Sequence, residues 1–265
     1  MEKAVRMNTE RHRRAKNGIP GEICTANYPL LYLNIPKSAC TTIKNLLYYV
    51  DNGEAYPDPI AIHADKAALL KGMSPDRQGY MRAVHNRKVV FTFVREPFAR
   101  AYSAFNEKIF FTTKYSFTAP RVCLQEDYGA VFPVEGVDYT AADHSANFLK
   151  FLIFVQDTIN ETAKIKLNPH WSPQMTILTH HRRRINTDFV GKVENFQQGM
   201  RFVLDMANVD IPVDLSVRHN EGPKPPFGLA EIMTDEIHAK LTSVYGVDVD
   251  YFGYYAETDK WASRA

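Results

Sequence analysis

The chain has 265 residues, 45% of them hydrophobic, enough to bury a substantial core in one large α/β domain rather than two. A net charge of +2 gives no basis for nonspecific binding to nucleic acid. Cys24, Cys40 and Cys123 are scattered with no C-x-x-C, which indicates neither a disulfide framework nor a zinc site.

Residues 1–27 carry charged and polar side chains through Arg14 and Lys16 and read as a mobile lead-in to a single domain over 28–265. They lack the apolar stretch of a signal peptide or anchor. The most apolar internal run, Phe148 to Val155, is interrupted by Lys150 and too short to cross a bilayer. A chain complete as given is expected in the cytoplasm, with no integral membrane segment.

The apolar run Leu30 to Ile35 ends at Pro36 and Lys37, passes through Ser38, Ala39, Cys40, Thr41 and Thr42, and continues as Ile43, Lys44, Asn45, Leu46, Leu47. That order predicts a strand over 30–35, a tight turn and a helix over 41–51. Unpaired N–H groups at such a helix start favour an anion, to which Lys37 adds a charge and Ser38, Thr41 and Thr42 add hydroxyl donors. A phosphate or sulfate is the expected ligand. The nucleotide-kinase pattern G-x-x-x-x-G-K-[ST] places its lysine after the turn, whereas here the lysine comes first and the turn has no glycine. Taken alone, the segment is also compatible with a basic residue at an ordinary strand–helix turn.

Val89 to Val94 predicts a second buried strand, ended by Arg95, with Pro97 opening a helix over 97–111. A kinase of the P-loop type would carry a magnesium-binding Asp at this strand end. The planar fork of Arg95 suits a phosphate instead, and Ser103, about two helical turns on, offers a hydroxyl to the same group. A surface ion pair of Arg95 with Glu96 or Glu107 is the plain alternative.

Residues 112–140 are irregular and rich in aromatic, Gly and Pro residues, which predicts a loop or lid over an acceptor site. Helices are expected at 143–157, 195–207 and 229–244 and a strand near 187–193. The run His180 to Arg184 is either a patch for an anionic acceptor or a solvated loop. The alternation predicts an α/β, P-loop-like three-layer fold, a central parallel sheet flanked by helices, with ligands at the carboxyl ends of the strands.

The two anion-binding segments together resemble the 5′-phosphosulfate loop and the 3′-phosphate motif of sulfotransferases that use 3′-phosphoadenosine 5′-phosphosulfate (PAPS), in the carbohydrate branch of chondroitin and HNK-1 type. Asn168 to Gln174 is similar to the "HW" element of that branch, and Asp188 to Glu194 to its later strand. Val217 to Pro225 resembles its loop before the last helices, and Tyr245 to Tyr254 its carboxyl-terminal signature. The likeness spans roughly Leu30 to Tyr255. The stretch Thr179 to Arg184 lacks the paired cysteines that Golgi relatives often carry.

The resemblance implies PAPS as co-substrate and transfer of its sulfuryl group to an acceptor hydroxyl, on a carbohydrate or a non-glycan small molecule, with no metal expected. It implies that Lys37 stabilises the leaving group and that Ser38, Ala39, Cys40, Thr41, Thr42, Arg95, Ser103, Arg218 and Lys224 hold the donor. His170 leads as general base, with His63 and His85 as alternatives, because a histidine titrates near working pH. Trp171 packs in the core or against a sugar face. A kinase-like phosphotransferase and a non-catalytic nucleotide-binding protein are the competing classes. A cytoplasmic chain of this kind suits a bacterial enzyme.

Overall fold

The computed structural model describes residues 22–63, 65, 88–182, 186–219 and 222–262. Four strands form one sheet in the order β1 (Glu22–Cys24), β2 (Leu30–Leu33), β3 (Val89–Val94), β4 (Phe189–Lys192). β2, β3 and β4 run parallel, and β1 is antiparallel to β2. The end of the expected lead-in is thus part of the sheet, and the sheet is mixed rather than purely parallel. Ile23 and Cys24 are buried, which accounts for the added edge strand.

Strands β2 and β3 are buried along their whole length, so their side chains divide by alternation between two layers. Leu30, Tyr32, Val89, Phe91 and Phe93 face one layer, where α1 (Cys40–Asn52) supplies Ile43, Leu46, Leu47 and Val50. Helix α6 (Phe196–Met206) adds Met200 and Val203 to that layer. On the other side Leu31, Leu33 and Val90 meet Leu178 of α5 (Gln174–Arg182). Behind them lies the larger core of α2 (Pro97–Phe105), α4 (Ala141–Ile159) and α8 (Asp235–Phe252). The three expected layers are present.

Several boundaries differ from expectation. Region 112–140 contains an 11-residue helix, α3 (Thr118–Tyr128), closed by Gly129 at φ 66. Pro120 reads as a breaker, but it sits in the first helical turn, where a missing N–H costs nothing. Cys123 and Leu124 bury the inner face of α3. The expected helix 229–244 is two, α7 (Leu229–Ile232) and α8, because the Thr234 side chain accepts the Ile237 N–H and starts a new one. Helix 97–111 holds, but its last turn, Asn106–Phe110, is π-helical. A final helix, α9 (Tyr255–Ala262), packs on α8.

Gly191 of β4 pairs with Phe93 of β3, and a Cβ there would lie 2.5 Å from the Phe93 ring. Gly191→Ala is expected to lower stability by roughly 1–3 kcal/mol, because the buried ring has to shift. Gly246→Ala on α8, with nothing within 4 Å, is expected to cause no loss. Urea unfolding of the two variants measures the contrast.

Candidate active site

A cleft of about 950 Å³ opens at the carboxyl ends of β2 and β3. Its floor is the turn from β2 into α1. Lys37 and Ala39 both adopt left-handed backbone, φ 68 and φ 57, with no glycine to make this easy. Ala39 supplies no side-chain acceptor to the first turn of α1, so its N–H groups keep free capacity for a ligand. Ala39, Cys40, Thr41 and Thr42 line the cleft beside Lys37. Ser38 does not. It is fully buried, and its hydroxyl donates to Gln174 Oε1 at 3.0 Å.

The second anchor is the start of α2. Glu96 caps it by accepting the N–H groups of Phe98 and Ala99, with Pro97 at the first helical position. Arg95, just before the cap, and Ser103, two turns on, line the same cleft as Lys37. The Arg95 backbone is clamped at both ends by Gln174, whose Oε1 accepts its N–H at 2.9 Å and whose Nε2 donates to its carbonyl at 2.8 Å. One glutamine therefore holds both the turn into α1 and the residue before α2.

The π-helical turn brings Glu107 back onto the cleft. Its carboxylate pairs with Lys37 and, at 2.7 Å, with Lys108. Burial alone would raise the Glu107 pKa, but the two ammonium groups hold it at about 2. Burial likewise lowers the Lys37 pKa, against the opposing pull of Glu107.

The three candidate histidines separate. His170 lines the cleft, and Asn168 Oδ1 accepts its backbone N–H at 3.0 Å and its Nδ1–H at 2.8 Å. Nε2 therefore carries the lone pair. Burial, with Lys108 and Lys37 nearby, depresses the His170 pKa to about 3, so it is neutral. His63 also lines the cleft, but both its nitrogens are engaged: Nε2 lies 2.8 Å from Thr41 Oγ1 and Nδ1 lies 2.8 Å from Lys44 Nζ. That leaves neither as a free proton acceptor. His85 lies outside the described residues.

Arg218 and His219 line the rim, and the Thr42 hydroxyl exchanges hydrogen bonds with the backbone of His219 at 3.1 and 3.4 Å. Thr42 thus ties the rim loop to α1. Lys224 is exposed and is not among the cleft residues. The chain turns at Gly222, φ 72, and the prolines around Lys224 hold the segment extended. The aromatic residues of 110–139 divide: Tyr115 and Phe117 line the cleft with Lys114, whereas Phe110 and Phe132 are core. Trp171 is fully buried core. Of the run His180 to Arg184, residues 183–184 lie outside the described residues. Among the described residues, no group of three or more His, Cys, Asp or Glu could hold a metal ion, and no helix is long and apolar enough to cross a membrane.

The sequence gives no sign of the roles of Arg100, Lys44 and Gln174, and it offers Glu107 only as an ion-pair partner of Arg95, whereas Glu107 pairs with Lys37 and Lys108. Gln174 stood inside the "HW" element, and Glu107 four residues past Ser103. The Glu107–Lys37 and Gln174–Ser38 contacts join residues 70 and 136 apart in the chain, so no local spacing shows them.

Residues 23–255 match the model of the "Sulfotransferase family", and the chain belongs to that family. Carbohydrate sulfotransferase 11 of Mus musculus is 28% identical over 210 residues, covering 77% of this chain and 57% of that protein. Carbohydrate sulfotransferase 14 of Danio rerio is 27% identical over 239 residues, covering 84% and 59%. Carbohydrate sulfotransferase 12 of Mus musculus is 26% identical over 199 residues, covering 68% and 46%. The chain thus spans about half the length of the curated relatives it matches. No solved structure gives a significant match. The family in general implies a PAPS co-substrate.

Gln174→Leu strands the Ser38 hydroxyl and both backbone groups of Arg95. The expected cost is about 1–3 kcal/mol for each group left buried without a partner, read as a fall in the unfolding midpoint. A midpoint equal to wild type would show that the clamp carries no stability.

Proposed function

We propose that the chain transfers the sulfuryl group of PAPS to an acceptor hydroxyl on a carbohydrate. One observation carries this reading. Lys37 and Arg95, at the ends of adjacent parallel strands and each beside a helix start, open onto one cleft of about 950 Å³. Two separated cationic anchors in a nucleotide-sized cleft suit a donor with phosphate-type groups at its 5′ and 3′ positions. The carbohydrate acceptor is taken from the names of the relatives.

In this reading Lys37, Thr41 and the free N–H groups of α1 hold the 5′ group and stabilise charge on the leaving oxygen. Arg95 and Ser103 hold the 3′-phosphate, with Arg218 closing over it from the rim. Nε2 of His170 takes the acceptor proton as the acceptor oxygen bonds to sulfur and the bond from sulfur to the leaving phosphate breaks. Burial is the main cause of the low His170 pKa, and it keeps the ring neutral with Nε2 unprotonated before the acceptor arrives. Lys108, Lys114, Tyr115 and Phe117, on the His170 side, form the acceptor end.

Calorimetry with 3′-phosphoadenosine 5′-phosphate (PAP) tests the donor. Wild type is expected to bind it without magnesium, and Arg95→Ala to weaken it about 10- to 100-fold. ATP binding as tightly as PAP, or indifference to Arg95→Ala, would sink the reading. With labelled PAPS and a panel of glycans, His170→Gln is expected to lose about 10²- to 10⁴-fold in turnover while PAP affinity stays within about threefold. Unchanged turnover removes His170 as the base.

A further inference from the structure

Lys44, buried on α1, and His63, on the cleft wall, have no part in the chemistry above. Lys44 is buried on α1, and burial lowers its pKa from the ordinary 10.5. Its Nζ lies 2.8 Å from His63 Nδ1, and His63 Nε2 lies 2.8 Å from Thr41 Oγ1. An ammonium has three N–H groups and no lone pair. His63 Nδ1 must therefore be the acceptor, and in a neutral imidazole the ring proton then sits on Nε2. Nε2–H donates to Thr41, whose oxygen is thereby taken as acceptor and whose own O–H remains to be given.

The rest of the geometry keeps this chain in place. Asn45, one residue after Lys44, donates to the Thr41 carbonyl at 2.8 Å and to the Pro59 carbonyl at 2.9 Å, which ties the segment before His63 onto α1. Loss of hydration and the adjacent Lys44 ammonium hold the His63 pKa at about 4, so the ring is neutral across ordinary working pH. Thr41 lines the same cleft as Lys37 and His63.

We propose that Lys44 and His63 are positioning residues that fix the Thr41 hydroxyl as a hydrogen-bond donor to the anion held at the first turn. This rests on the donor reading given above. Thr41 is thereby preorganised toward an acceptor-only ligand, and His63 serves the site without exchanging a proton with the substrate.

The test is a double-mutant cycle on the full chain, with PAP as the probe in calorimetry. Thr41→Val is expected to weaken PAP about tenfold, and His63→Ala about fivefold in the wild-type background but less than about twofold beside Thr41→Val. His63→Gln places an amide N–H near the position of Nε2 and is expected to restore affinity to within about threefold of wild type. Nitrogen NMR of the unliganded wild-type chain is expected to show His63 as the Nε2–H tautomer, a readout that needs no variant to fold. Equal losses from His63→Ala in both backgrounds, or an Nδ1–H tautomer, overturn the proposal while leaving PAP binding intact. A wild-type chain that does not bind PAP overturns the donor reading, and this proposal with it.

Discussion

The Arg100 guanidinium is the contact on which the site depends. It is fully buried, and its three nitrogens donate to three carbonyls: Nε to Pro36 at 2.9 Å, Nη1 to Ser172 at 2.8 Å and Nη2 to Pro169 at 2.9 Å. Burying that charge costs several kcal/mol, and burial lowers the pKa, against the field of Asp248. Asp248 is buried as well and accepts the N–H groups of Gln174 and Met175, both at 2.7 Å. Lysine could not replace Arg100, because only a planar fork reaches three carbonyls on two segments at once. Arg100 thus joins the turn that carries Lys37 to the segment that carries His170.

Such an anchor is needed because the turn it holds is not relaxed. Two left-handed residues without glycine, Lys37 and Ala39, cost on the order of 1–3 kcal/mol each. Arg100 grips Pro36 on one side, Gln174 grips Ser38 between them, and α1 takes over when Ile43 N–H bonds to the Ala39 carbonyl. The strained residues are held at both ends, which leaves the Lys37 side chain and the first N–H groups of α1 facing the cleft. The carboxylates nearby are already employed. Glu96 caps α2, and Glu194 accepts the Glu96 N–H and the Tyr254 hydroxyl.

This division explains what could be read from the sequence. β2, β3 and the starts of α1 and α2 are local events, written in apolar runs, a proline and small residues, so Lys37, Arg95 and Ser103 were legible with their neighbours. Ser38 and Thr42 look identical to Thr41 as hydroxyl residues, yet Ser38 turns inward to Gln174 and Thr42 holds the rim loop. Those directions are set by partners 136 and 177 residues away. His63 and His170 look alike for the same reason, and only the second nitrogen of each ring tells them apart. Helix α3 escaped because its inner face is two buried residues beside a proline, too little periodicity to register.

The two ends of the cleft are built differently. The end that carries Lys37 and Arg95 is built on strand ends and helix starts, where backbone geometry leaves little freedom. The end that carries His170 is lined by the π-helical turn and the segment before α3, with the Phe117 and His170 ring centroids 5.1 Å apart. A π turn displaces every following side chain by one position relative to an α-helix. Here it swings Glu107 onto Lys37, and the Lys108 ammonium lies 5.5 Å from the Phe117 ring. A change in that turn would re-aim Lys108 and shift the Glu107 partner of Lys37, while Arg95 stays fixed at its own strand end by Gln174.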